Sequence, residues 1–268
     1  MNKNESQEQR LNYLLEEFKA DSVEYKNIEI PEDINGKRSL LRSLMNVRMP
    51  KKMSGSVLKV QDEYLSVCAE EKGIVQLSDI PVIRGNVSIW QGDITRLEVD
   101  AIVNAANSQM LGCFIPMHTC IDNQIHTYAG IQLREECSYK MEELRNKYGS
   151  HYEQPTSVPM ITDAYNLPAK NVIHVVGPIL RNRLTADLEQ KLADCYTNVL
   201  NMCLENNLKS VAFCCISTGV FRFPNKRAAE IAVKTVKKWS LEHPEAMERI
   251  IFNVFKEEDK KYYEEILQ

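Results

Sequence analysis

From about Val82 onward the chain alternates short β-branched or apolar runs with stretches of helical periodicity, and few folds accommodate that alternation. Strands separated by helices assemble into a sheet covered by helices. Strands are predicted at 87–91, 101–105, 171–176, 210–216 and 249–254, and helices at 121 to about 148, 186–206 and 225 to about 239. Within the fourth strand, Cys214 and Cys215 read as small apolar side chains of a buried run.

The first ~75 residues have a different texture, rich in long charged side chains. Leu11, Leu14, Leu15 and Phe18 recur at helical spacing, and Leu40, Leu41, Leu44 and Met45 repeat the pattern after an interruption at 33–36. Pro50 ends that second helix, and 51–56 carries a mild linker signal. Residues 1–75 are therefore expected to form a helical extension and 76–268 the main α/β domain, a division consistent with ordinary domain sizes. The extension is expected either to cover one sheet edge or to help recognise a protein partner.

Charge narrows the ligand class. Thirty-three Lys and Arg face thirty-seven Asp and Glu, a net charge of −4 that gives no overall attraction to a polyphosphate backbone and speaks against nucleic acid. A small anionic ligand would be held instead by backbone N–H groups at loops and helix starts. No apolar run approaches the ~20 residues needed to span a bilayer. The polar segment after Met1 lacks the apolar core of a secretory signal, so a cytoplasmic location without membrane contact is expected.

Three motifs fall at predicted strand ends, where α/β sheets place ligands. Gln91-Gly92-Asp93-Ile94-Thr95 follows the first strand; alone it is a common turn in which Asp93 could simply cap. Asn104-Ala105-Ala106-Asn107 ends the second strand with two amide side chains that can donate and accept, a chemistry suited to sugar hydroxyls. Ser217-Thr218-Gly219-Val220-Phe221 links the 210–216 strand to a helix, a junction whose free N–H groups favour phosphate. Together with Tyr165-Asn166-Leu167-Pro168 and Val172-Ile173-His174-Val175-Val176-Gly177-Pro178, these motifs resemble the macrodomain family over roughly residues 80–255. The resemblance implies a three-layer α/β/α fold with a mixed sheet and a groove for ADP-ribose. It implies that Asp93 receives the adenine amino group, that Ile94 N–H with Val220 or Phe221 contacts the ring and phosphates, and that Ser217 to Phe221 wrap the diphosphate. Asn107 would meet the distal ribose. Arg222 stands where macrodomains often have glycine, which either narrows the groove or brings a guanidinium near that ribose.

The loop after the asparagines carries Cys113-x4-His118-x-Cys120, where ordinary macrodomains have glycines. Eight cysteines and five histidines in 268 residues would put about 0.4 of them in a window of eight by chance, so three is a concentration. His118 and Cys120 project to the same side of an extended segment, and a turn at Pro116 can bring Cys113 round to meet them. Two cysteines and one histidine with a fourth position open form the ligand set of a catalytic zinc. The arrangement resembles the zinc-containing branch of the family, whose members hydrolyse protein-linked ADP-ribose. Asp122 occupies the place of the acidic residue of hydrolytic macrodomains; it is equally suited to cap the helix that begins there, and the two roles are compatible. His126, His151, His174 and His243 form no such group and are expected to be structural or exposed.

The expected function is zinc-dependent hydrolytic removal of mono-ADP-ribose, a glycosidase-type reaction, from modified protein side chains. Asp122 and Asn107 would be catalytic, and the metal would either activate a water or polarise a sugar oxygen. A non-catalytic reader of ADP-ribosylated proteins and a hydrolase of a free acylated ADP-ribose metabolite use the same groove. A zinc-finger nucleic-acid binder fails on charge and on the lack of a second ligand pair.

Overall fold

A computed structural model describes residues 3–268; the first two residues of the expected extension lie outside the described residues. Three helices lead the chain: α1 (Lys3–Ala20), α2 (Ile34–Val47) and α3 (Gly55–Lys72). After them come β1 (Val75–Gln76), β2 (Val82–Arg84), β3 (Val87–Gln91), β4 (Leu97–Glu98), β5 (Ala101–Ala106), α4 (Ile121–Ala129), α5 (Ile131–Tyr148), β6 (Met160–Asp163) and β7 (Asn171–Val176). The chain closes with α6 (Ala186–Glu205), β8 (Ser210–Phe213), α7 (Asn225–Glu242), β9 (Arg249–Val254) and α8 (Glu257–Leu267).

Seven strands form one sheet in the order β2-β3-β9-β8-β5-β7-β6. The five inner strands pair in parallel, and β2 and β6 pair antiparallel at the two edges, so the sheet is mixed as expected. Ile102, Val103, Val172, Ile173, Val211, Ile250 and Ile251 are fully buried, because parallel strands are covered on both faces and read as continuous apolar runs. The path β5→β7 moves one way along the sheet and β7→β8→β9 the other; right-handed crossovers therefore place α4 and α5 on one face and α6 and α7 on the opposite one.

Three predicted boundaries are corrected by local chemistry. The helix expected over 121–148 is two helices, broken at Gly130, whose φ of +96° favours glycine; a Cβ there would also meet Gln132 and Gln61 at 2.8 Å. The strand expected to reach 216 stops at Phe213, so Cys214 and Cys215 sit in the loop beyond it. The linker signal at 51–56 instead holds the start of α3, which Ser54 caps by accepting from Val57 N.

The helical extension has its own small core of Leu11, Leu14, Leu15, Phe18, Leu41, Leu44 and Leu65, joined by Ile131 of α5. It packs on α4 and, through Gln61 and Ile131, on the start of α5, and Asp62 of α3 also accepts from Asn166 just beyond β6. Arg134 of α5 is the main fastener. Its buried guanidinium donates to the carbonyls of Met45, Asn46 and Arg48 at 3.1, 2.9 and 2.6 Å, satisfying the orphan acceptors at the end of α2, and to Leu111 O at 2.8 Å. Burial lowers Arg134 to about 10, which leaves it charged at neutral pH.

Candidate active site

β3, β5 and β8 run parallel in one sheet, so their C-terminal ends lie along the same side of it, and each carries one of the sequence motifs. At the β3 end, Asp93 starts a 3-10 turn over Ile94–Arg96, accepting from Thr95 N at 3.0 Å and Thr95 Oγ1 at 2.7 Å. Its other oxygen accepts from Lys72 Nζ at 2.7 Å, at the end of α3, and that ammonium lies 3.2 Å from the centroid of the Tyr128 ring. Burial pushes the Asp93 carboxyl up, but the Lys72 and Thr95 hydrogen bonds outweigh it and hold the group below the usual carboxylate range. Ile94 is buried, and among the described residues its N–H has no protein acceptor.

Beyond β8 the chain forms a tight loop before α7. Thr218 N donates to Cys215 O, Arg222 N to Gly219 O and Phe223 N to Ser217 O, so three amides are committed to the loop itself. Among the described residues the N–H groups of Ser217, Gly219, Val220 and Phe221 donate to no protein acceptor. Ser217 and Arg222 take φ of +66° and +59°, turning the chain sharply as anion-cradling loops do. Val220 is 72% exposed at the loop's tip. At Gly177 of the β7 end an added Cβ would press on Ser217 Oγ and, at 2.8 Å, on Ile216 Cγ2, so a side chain there would force the 217–221 loop or its flank to shift.

At the β5 end the two asparagines diverge. Asn104 points into the core, and its two N–H groups donate to Asp122 Oδ1 at 2.7 Å and to His174 Nδ1 at 3.0 Å. His174 therefore carries its proton on Nε2, which reaches Thr162 Oγ1 at 3.0 Å. Asn107 is half-buried and donates to Gly112 O at 3.2 Å and Asp122 Oδ2 at 3.4 Å. Both asparagines thus orient one carboxylate. Asp122 lies in the first turn of α4 and is not its cap; Cys120 takes that role, accepting from Asn123 N at 3.4 Å. Burial raises Asp122 to about 6 against the opposing pull of Asn104 and Arg134. His126, one helical turn on, presents Nε2 at 3.6 Å from Asp122 Oδ1, and no hydrogen-bond partner meets either ring nitrogen among the described residues.

His126 and His174 are buried, but against the expectation that they form no group, a ring nitrogen of each and Cys137 Sγ all lie within 4.8 Å of one another. His126 faces Asp122 directly, and His174 is linked to it through Asn104. His151 is exposed, and His243 stacks on Trp239 at 4.4 Å. The i, i+4 spacing of Asp122 and His126 on a helix was the available signal for the pair.

Residues 111–120 loop over the Asp122 end. Gly112 turns with φ +79°, and a Cβ there would press to 2.8 Å on the His126 ring. Cys113 Sγ lies 3.6 Å from His118 Nδ1, and the ligand atoms of Cys113, His118 and Cys120 all lie within 4.8 Å of one another. Two sulfurs and an imidazole nitrogen so gathered fit a zinc ion. Burial pushes the Cys120 thiol up to about 12, so thiolate ligation there needs a cation to compensate. Lys72, Arg42, Asn46 and Arg134 also frame the site, and no local motif marks them, because each reaches it from a distant stretch of chain.

A family model described as Macro domain matches residues 103–232. Over 266 residues the chain is 48% identical to a protein named Protein-ADP-ribose hydrolase from Treponema medium, a match covering 98% of this chain and 99% of that protein. It is 41% identical over 262 residues to the protein of the same name from Staphylococcus aureus, covering 97% and 96%. Among solved structures, the Trypanosoma brucei macrodomain in complex with ADP-ribose superposes with a TM-score of 0.65 at 27% identity, over 85% of this chain and 95% of that one. The Oceanobacillus iheyensis macrodomain with ADP gives 0.59 at 37% identity, over 70% and 93%.

Proposed function

Because the chain belongs to the macrodomain family, we propose that it hydrolyses the bond between ADP-ribose and a protein side chain, using a zinc ion held by Cys113, His118 and Cys120. The observation that carries this reading is the gathering of Cys113, His118 and Cys120 on the loop that leads into Asp122, with Asn107 donating both to Gly112 O of that loop and to Asp122, while the open amides of 217–221 follow the neighbouring strand β8. The relatives named for this activity match nearly the whole chain, extension included, which supports the same reading.

In this account Asp93, ionised by Lys72, accepts the adenine amino group, and Ile94 N–H lies beside the ring. The open amides of Ser217, Gly219, Val220 and Phe221 hold the diphosphate without any net positive charge; Thr218 contributes by shaping the loop through its bonds to Cys215 O. Asn107 hydrogen-bonds the distal ribose and shares Asp122 with Asn104. Held from both sides, the carboxylate orients the attacking water and accepts its proton. Oxygen of that water forms a bond to the anomeric carbon, the bond from that carbon to the protein side chain breaks, and the departing group takes up a proton. When bound, zinc would supply Lewis-acid stabilisation of negative charge on an attacking or departing oxygen beside the ribose.

Cys120→Ala tests the division of labour. Release of ADP-ribose from a mono-ADP-ribosylated protein is expected to fall by at least about a hundredfold, while the ADP-ribose Kd by calorimetry stays within roughly threefold because the base and phosphate contacts lie elsewhere. Equal loss of binding and turnover would contradict it. Unimpaired release would leave a metal that serves only to stiffen the loop.

A further inference from the structure

The metal loop contains little regular structure of its own, and two side chains of the helical extension complete its hydrogen bonding. One nitrogen of Arg42 on α2, Nη2, donates to His118 O at 2.7 Å and to Asn123 Oδ1 at 2.8 Å. Asn123 passes the contact on, its amide nitrogen reaching Ile115 O at 3.0 Å and Cys113 O at 3.3 Å. A single guanidinium thus ties the backbone of His118 to the amide that holds the backbone of Cys113. A turn further along α2, the buried Asn46 accepts from Met117 N at 3.1 Å and donates to Thr127 Oγ1 of α4 at 2.9 Å. Met117 has φ +57°, a conformation a bulky residue keeps only where its surroundings enforce it.

We propose that Arg42 and Asn46 are positioning residues for the metal loop: the helical extension fixes the spacing of Cys113, His118 and Cys120 and so sets their affinity for the cation. This inference rests on the reading that the loop binds zinc. Its physical basis is that metal ligands must hold their places within about 0.2 Å, and a loop of ten residues supplies that rigidity only if its backbone is tied to packed elements. Arginine suits the task because the two N–H bonds of its planar Nη2 are held at fixed angles to the two acceptors, whereas a lysine ammonium makes point contacts. The extension is therefore part of the site.

The test compares Arg42→Ala and Arg42→Lys with Arg38→Ala, which breaks the α2 surface pair with Glu71 and leaves the loop untouched. In metal-free protein, hydrogen exchange over 113–120 is expected to accelerate on the order of tenfold in Arg42→Ala, as a local opening loses its tie. Zinc affinity, measured against a chelating dye, should weaken by about 10- to 100-fold. The ADP-ribose Kd should remain within roughly threefold, a readout that a general loss of fold would not spare. Should the alanine variant unfold, Arg42→Lys carries the same comparison with a smaller expected change. Loop exchange no faster than in Arg38→Ala overturns the proposal. If the parent protein binds no zinc, the functional reading fails by itself, and the exchange comparison still decides whether Arg42 holds the loop.

Discussion

A carboxylate in this fold acquires its role from what donates to it. Asp93 and Asp122 both sit at strand ends or helix starts where an Asp commonly caps. Lys72 and Thr95 hold the first charged, while burial raises the second to about 6. Asp93, Asn107 and the three metal-ligand candidates were legible in the sequence, because short motifs at strand ends and a local excess of Cys and His carry their own signal. Lys72 and Arg42 were not, since their partners lie 21 and 76 residues along the chain and only packing brings them together. Lys72→Met should weaken ADP-ribose binding by roughly fivefold, the value of an ion pair worth about 1 kcal/mol. An analogue bearing hypoxanthine, which lacks the amino group, should lose much less, and calorimetry on the pair of ligands checks it. Equal loss for both bases would remove Asp93 from base recognition.

Elements were legible to the extent that their pattern was local. The strands at 87–91, 171–176 and 249–254 match their structural bounds because dense β-branched runs leave no alternative once both faces are buried. The break at Gly130 escaped the periodicity, since apolar spacing continues across it and only the φ of one residue separates α4 from α5. The short helix α4 that results carries Asp122 and His126 on its inner face and Tyr128 beside Lys72 at its far end, so it links the Cys113–His118–Cys120 cluster to Asp93. α3 was missed because Ser54 and its neighbours read as a linker, whereas Ser54 is the helix cap. The edge strands β2 and β6 are too short to stand out from turns.

At the scale of the whole molecule, α2 and α3 pack on α4, α2 also reaches the 111–120 loop, and the cluster of Asn104, Asp122, His126 and His174 is buried. Burial holds His126 well below its ordinary range, with His174 and Arg134 adding to the effect, and lowers His174 to about 3. In the unfolded chain both titrate near ~6.5, so below that pH the unfolded state takes up protons that the folded state refuses. Stability is therefore expected to fall as pH drops from about 6.5 toward 3, at up to about 1.4 kcal/mol per pH unit for each histidine. Asp122 works in the opposite sense between its unfolded value of about 3.9 and its folded value near 6, because there the folded state holds the extra proton; it offsets one histidine and leaves the other. Thermal midpoints should stay level from pH 7.5 to about 6.5 and fall from there to pH 5, and His174→Asn should flatten that fall; an unchanged slope would mean that His174 does not stay neutral in the fold. The central claim is that a cation bound by Cys113, His118 and Cys120 is needed to release ADP-ribose, and zinc content measured beside release from a mono-ADP-ribosylated protein, before and after chelation, tests it most directly. The account predicts close to one zinc per chain, with release lost on chelation and restored by added zinc; full release from metal-free protein would contradict it.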